Sequence, residues 1–198
     1  MRTNFLDMTS NFSHSKQSIS YKSFIFLAFL IIIASCSSPQ HNDIKEMLAP
    51  FMGTEVKISE QQLFPVNFYS NTSLSYSKNT EYKIVVYFSE NECSECTIKS
   101  LFNWQNYMNS LKSNKEVSFY LIFKNADALK FMSDMSSFSI SLPYFIDTNG
   151  VFEMENPALP KLPSFHTFLL KNNRVRIVGS PINNAKILRL YKKELSIR

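Results

Sequence analysis

The chain has 198 residues, 44% apolar and 19% charged, a balance that supports a real core and excludes a disordered polyelectrolyte. Only three glycines occur, Gly53, Gly150 and Gly179, so no Gly-rich phosphate loop is available. The formal charge is +5, but residues 1–35 supply +2 of it and the rest carries a scattered 18 basic against 15 acidic groups, so no nucleic-acid partner is expected.

The first segment reads as a targeting signal. Lys16 and Lys22 flank an uncharged run, Ser23 to Ser35, too short for a spanning helix and suited to the apolar region of a signal peptide. Its last residues, Ile33-Ala34-Ser35-Cys36, resemble the lipobox of bacterial lipoproteins, with Ile where Leu is commonest. The resemblance implies that Cys36 is lipidated and becomes the new N-terminus, which makes the membrane a partner through that anchor. Alternatives are a plain secretory signal or a short membrane anchor. Ser37 gives no acidic retention signal, so an outer-membrane anchor facing the periplasm is expected. Outside the cytoplasmic thiol pool, disulfides form and persist. With one of three cysteines assigned to the anchor, Cys93 and Cys96 remain as a pair.

The expected domains are a signal peptide over 1–35, a tether over 36–49 and a folded domain over 50–198. "DIKEMLAPFMG" predicts a short amphipathic helix with Asp43 as N-cap, Ile44, Met47 and Leu48 on one face, and Gly53 as stop. "TEVKIS" alternates like a strand. Residues 60–80 are rich in Ser and Asn and predict a loop with one short strand at most. "YKIVVYFS" is a near-continuous apolar run, as in a strand buried on both faces. Helical spacing follows in Ile98, Leu101, Phe102, Met108 and Leu111. "EVSFYLIF" predicts a second buried strand. "NADALKFMSDMSSF" predicts a helix capped by Asn125 with Leu129, Met132 and Met135 inward. "LPYFIDTNG" predicts a strand and turn, and "SFHTFLL" and "NRVRIVG" flank "KNN" as a hairpin. "NNAKILRLYKKEL" predicts a closing helix with Ile187, Leu190 and Tyr191 on its apolar face. The order β-α-β-α-β-β-α gives a mixed sheet with helices on both faces, an α/β sandwich.

The C-x-x-C pair stands between a buried strand and a helix pattern. A thiolate is the attacking species in disulfide exchange, and a helix N-terminus favours it through unpaired N–H groups and a partial positive charge. The alternatives are an inert stapling disulfide and a zinc site; no second C-x-x-C or His pair supports the latter.

These residues resemble the thioredoxin-like fold, and more closely its TlpA/redoxin-type envelope thiol–disulfide oxidoreductases. The strand–C-x-x-C–helix unit Ile84 to Leu111, "LPYFIDTNG" and "FHTFLLKNNRV" carry the resemblance, over roughly residues 50–198. It implies a three-layer sandwich, Cys93 as nucleophile, Cys96 as resolving thiol, protein thiols and disulfides as partners, and no cofactor. Three departures stand out. Ser94-Glu95 separate the cysteines where the family favours Gly-Pro or Pro-Pro, and Glu90, Glu92 and Glu95 surround the pair and oppose thiolate formation. Tyr87 occupies the place of the family's buried Asp. The family's cis-proline falls at Phe165, with Pro163 two residues upstream, so either Pro163 takes that role or Phe165 and His166 face the cysteines. His166 has two readings, a group assisting proton transfer or joining the cysteines on copper, and an ordinary half-exposed strand histidine. The expected function is a lipid-anchored envelope oxidoreductase. A non-catalytic binding lipoprotein and a copper-handling protein are the alternatives.

Overall fold

A computed structural model describes residues 40–66, 79–89, 94–111, 115–136, 138 and 142–197; for 40–42 and 94–98 the description is of the backbone alone. The chain divides between Asn42 and Asp43, and the sheet belongs wholly to the second unit, Asp43–Arg198.

Two buried strands make the centre. β2 (Tyr82–Phe88) and β3 (Val117–Lys124) pair in parallel, Tyr82 opposite Val117 and Phe88 opposite Phe123. Every residue of β2 is buried, Lys83 included, as expected of a near-continuous apolar run covered on both faces. Parallel neighbours need a crossover, and α2 (Ser94–Ser110) provides it. α3 (Ala128–Ser136) makes the next crossover to β4 (Tyr144–Asp147), parallel to β3. β5 (Thr167–Lys171) returns antiparallel against β2, and β6 (Arg174–Val178) completes a hairpin with it. β1 (Phe64–Val66) adds an antiparallel edge beside β4. The sheet order is β1-β4-β3-β2-β5-β6.

Alternation along the strands divides the core in two. Ile84, Val86, Leu121 and Leu169 face one way, against Leu101, Trp104 and Met108 of α2, Met135 of α3 and Tyr191 and Leu195 of α5 (Ala185–Leu195). Val85, Tyr87, Tyr120, Ile122, Phe168 and Leu170 face the other way. That second layer contains Phe51, Val56 and Leu63, with Leu48 of α1 (Gln40–Leu48) and Phe152 of the short helix α4 (Val151–Glu155). Each fully buried aliphatic or aromatic side chain contributes about 1.5–3 kcal/mol by leaving water, so the two layers together carry the fold. A mixed sheet lies between two helical layers. This is a thioredoxin-like three-layer α/β sandwich.

Several local expectations need correction. "TEVKIS" forms no strand: Glu55 makes a single bridge to Arg174, and the neighbouring backbone hydrogen-bonds Val175 at the start of β6 and Asn173 in the turn before it. Asp43 lies inside α1, which begins at Gln40. The cap of α3 is Asp127, whose Oδ1 accepts from Lys130 N at 2.9 Å, while Asn125 Oδ1 accepts from Asp127 N in the turn before it. In α3 Leu129 is 77% exposed, and Phe131 packs against the core instead. In α5 Leu190 is 49% exposed, and Leu195 takes the inward place. Among the described residues of the loop predicted over 60–80 lies a short strand, β1. α4 had no predicted counterpart.

Candidate functional site

The strand-to-helix junction at the carboxyl end of β2 positions the candidate site. β2 ends at Phe88 and α2 begins at Ser94. Cys96 is therefore in the first turn of α2, where backbone N–H groups lack helical partners. Its side chain, and all of Cys93, Glu90 and Glu92, lie outside the described residues, as do Cys36 and the Glu95 side chain.

Opposite this junction stands the start of β5. Val86 pairs with Thr167, and Tyr87 N–H donates to His166 O at 2.9 Å, which sets His166 level with the end of β2. Pro163–Phe165 form a single 3-10 turn leading into it. All peptide bonds among the described residues are trans, Pro163 included. Pro163 is exposed, and Phe165 is half-buried against the layer that contains Phe168. His166 is only 4% exposed and precedes β5, so the expectation of a half-exposed strand histidine is corrected.

His166 has a defined tautomer. Nε2 lies 2.7 Å from Pro160 O, and a carbonyl oxygen only accepts, so Nε2 carries the proton. Nδ1 is then a lone-pair acceptor when the ring is neutral. It is buried without a hydrogen-bond partner among the described residues. The ring packs on Tyr87, centroids 5.4 Å apart.

An open cleft of about 510 Å³ runs beside these groups, lined by Ser89, Glu153, Asn156, Lys161, Pro163 and His166, among others. Sequence reasoning had not singled out Glu153, Asn156 or Lys161. α4 delivers the first. Asp147, fully buried at the end of β4, accepts from Val151 N and Phe152 N at 2.9 Å each and starts that helix. Gly150, at φ 67, makes the turn between them. Glu153 then meets Lys124 of β3 at 2.8 Å. Partial burial works to raise the Glu153 pKa, but the hydrogen bond and charge of Lys124 outweigh it and hold the carboxyl below its ordinary value. Asn156 is structural: its side chain bonds Lys57 N, Lys57 O and Phe152 O. The only sequence signal for this cluster was the "DTNG" turn, which marks a chain reversal but not the helix beyond it.

Among the described residues no three His, Cys, Asp or Glu side chains are placed to hold a metal ion. Nor is any described helix long and apolar enough to cross a membrane.

No family model and no curated protein sequence matches the chain. Solved structures do resemble it. A domain of a possible thiol-disulfide isomerase from Cytophaga hutchinsonii shares 14% identity at a TM-score of 0.47, over 73% of this chain and 95% of that one. An uncharacterized thioredoxin-like protein from Porphyromonas gingivalis shares 16% at a TM-score of 0.38, over 66% and 84%. StoA from Bacillus subtilis shares 17% at a TM-score of 0.41, over 57% and 83%. Likenesses this distant carry no argument about activity, and the fold rests on the strand order and the two helical layers.

Proposed function

We propose that this chain is a lipid-anchored thiol–disulfide oxidoreductase of the bacterial cell envelope, exchanging with protein thiols and disulfides through Cys93 and Cys96. One observation carries the reading: a central parallel strand ends at Phe88 and a helix begins at Ser94, so the C-x-x-C sequence coincides with a strand-to-helix junction. A thiol at a helix N-terminus is favoured as thiolate, and a second thiol one turn on resolves the mixed disulfide. In this reading Cys93 attacks, Cys96 resolves, and Cys36 holds the protein to the membrane. Pro163, Phe165 and His166 form the loop against which the substrate polypeptide docks.

The test is trapping. Cys96→Ser, incubated with envelope extract, should accumulate mixed disulfides that reducing agent releases and that are absent when Cys93 is also replaced. No adduct through Cys93 would overturn the assignment.

A second reading is a non-catalytic binding lipoprotein on the same fold. It is favoured by Tyr87, which stands buried in β2 where the resemblance calls for a carboxylate. It expects Cys93→Ser to bind partners as well as the natural chain does, and loss of binding on that change alone would count against it.

A further inference from the structure

The outward face of α5 carries charge that the fold does not use. Lys186, Arg189, Lys192 and Lys193 are exposed, and none makes an ion pair among the described residues. Glu194, the one acid of the helix, is turned to Arg176 at 3.8 Å. Lys192 and Lys193 lie in the last turn, where the helix dipole favours cations. Lys186 has no such account: it is in the first turn, just past the Asn184 cap, where the dipole disfavours a cation and no acid stands. Lys186, Leu190 and Lys193 follow at helical spacing and form one stripe, with Arg189 beside it. Leu190 is half-exposed in the middle of that stripe. The helix also stands beside the edge by which the chain enters the domain. Gly53 N–H donates to Val175 O and Val175 N–H to Thr54 O, each at 3.0 Å, so the segment after α1 runs along the outer side of β6. α5 is fastened to the same strand and to the residue after it, by Arg176–Glu194, by Tyr191 OH donating to Gly179 O at 3.3 Å, and by Ile187 packed on Gly179. From Cys36 to Asp43 the chain reaches at most about 25 Å even fully extended.

Resting on the lipid-anchor reading for the presence of a bilayer, we infer that the outward face of α5 is a second membrane contact. Lys186, Arg189 and Lys193 lie on anionic phospholipid headgroups, with Leu190 among them, and fix how the anchored domain stands on the membrane. A cation beside an anionic leaflet gains a factor of about five in affinity, and the gain fades within a Debye length, about 10 Å at 0.1 M salt. Cations this few do not hold a domain by themselves. An anchor supplies the local concentration at which so weak a contact persists. Leu190 suits the same surface: an apolar side chain flanked by lysines enters the headgroup region while the cations stay with the phosphates. An acidic protein would meet the same cations, but that pairing makes no use of the closeness of α5 to the edge where the tether arrives.

The experiment uses the natural chain purified from membranes and reconstituted in vesicles, either of phosphatidylcholine alone or of equal parts phosphatidylcholine and phosphatidylglycerol. The probe is lysine acetylation by a water-soluble N-hydroxysuccinimide ester, read by mass spectrometry. Lys186 and Lys193 should react about fivefold more slowly on the anionic vesicles, and salt that shortens the Debye length to about 3 Å should restore their rates. Lys130 is the control: it is on α3, which serves the β3–β4 side of the sheet, and should react alike on both vesicles. Equal rates at Lys186 and Lys193 on the two vesicles, or the same slowing at Lys130, would overturn the assignment. Protection that appears only with added envelope extract, and equally on neutral vesicles, would give the face to an acidic protein and overturn it too. Leu190→Glu, a change at an exposed position, puts a carboxylate into the stripe and should remove the protection; full protection in that variant would also count against the contact. The anchor is tested apart. Flotation with neutral vesicles should be lost in Cys36→Ala; a variant that floats as the natural chain does would be a failure of the anchor reading, while lysine protection on anionic vesicles still decides this one.

Discussion

Asp147 commits both carboxylate oxygens to the first turn of α4, and it does so with no exposure to water. Removing it leaves two buried N–H groups without an acceptor, at a cost of about 2 kcal/mol or more. Asp147→Ala should therefore lower the stability measured by urea unfolding by at least that amount; a change under about 0.5 kcal/mol would contradict this account of α4. Glu153, which α4 presents, contributes differently. Its carboxyl titrates lower in the folded chain than in the unfolded one, so its contribution is present above the unfolded value near pH 4.3 and is lost as pH falls through the folded value. The Lys124–Glu153 pair is partly exposed, which limits it to under about 1 kcal/mol. The stability difference between Glu153→Gln and the natural chain should be measurable at pH 7 and shrink as the pH is lowered below the ordinary glutamate value near 4.3.

The β5–β6 hairpin shows how a short element fixes its own geometry. Asn172 and Asn173 both have left-handed backbones, φ 50 and 61, the pattern of a two-residue turn whose twist matches the strands. Asparagine tolerates that region better than most residues, which is why "KNN" was readable as a turn. Asn173 has a second role that was not readable, since its Oδ1 accepts from Lys83 Nζ of β2 at 2.7 Å. Asn173→Ala should cost about 1–2 kcal/mol, and Asn173→Gly less, because glycine restores the backbone though not the hydrogen bond. Thermal unfolding of the two variants side by side would check the order. The helices teach the reverse lesson. Apolar spacing located α3 and α5, yet Leu129 and Leu190 face water while Phe131 and Leu195 pack inward. A caps-and-period reading fixes a helix, but its rotation is set by the surface it meets.

For the whole molecule, burial of phenols predicts a response to alkali. Burial pushes the Tyr107 pKa up to about 12 and raises those of Tyr144 and Tyr191, the last with help from Tyr107. A phenol whose folded value lies above its unfolded value, about 10, stabilises the fold below that pH and loses the contribution as pH rises through the folded value. Phenolate absorbance from these three should appear only as the chain unfolds, toward pH 12. Titration of all nine tyrosines in one step near pH 10 would refute it. The proposed anchor has its own test: Cys36→Ala should move the protein from the membrane fraction to the soluble one.

By itself the sequence determined the α/β class, the two central strands, the hairpin and the coincidence of C-x-x-C with a strand-to-helix junction. Each of these depends on contacts near in the chain or on continuous apolar runs, which a linear reading captures. Only the tertiary structure decided the rest. β1 joins β4 across the sheet edge, Phe64 opposite Ile146, and no local pattern states that pairing. Tyr87 meets His166, and Lys124 meets Glu153, across long separations in the chain: β5 begins beside the end of antiparallel β2, and α4 follows β4, the parallel neighbour of β3. His166 was visible as a lone residue and read as part of the hairpin strand. That it is buried, with one nitrogen committed to Pro160 and the other without a partner among the described residues, follows from packing, which the order of residues does not record.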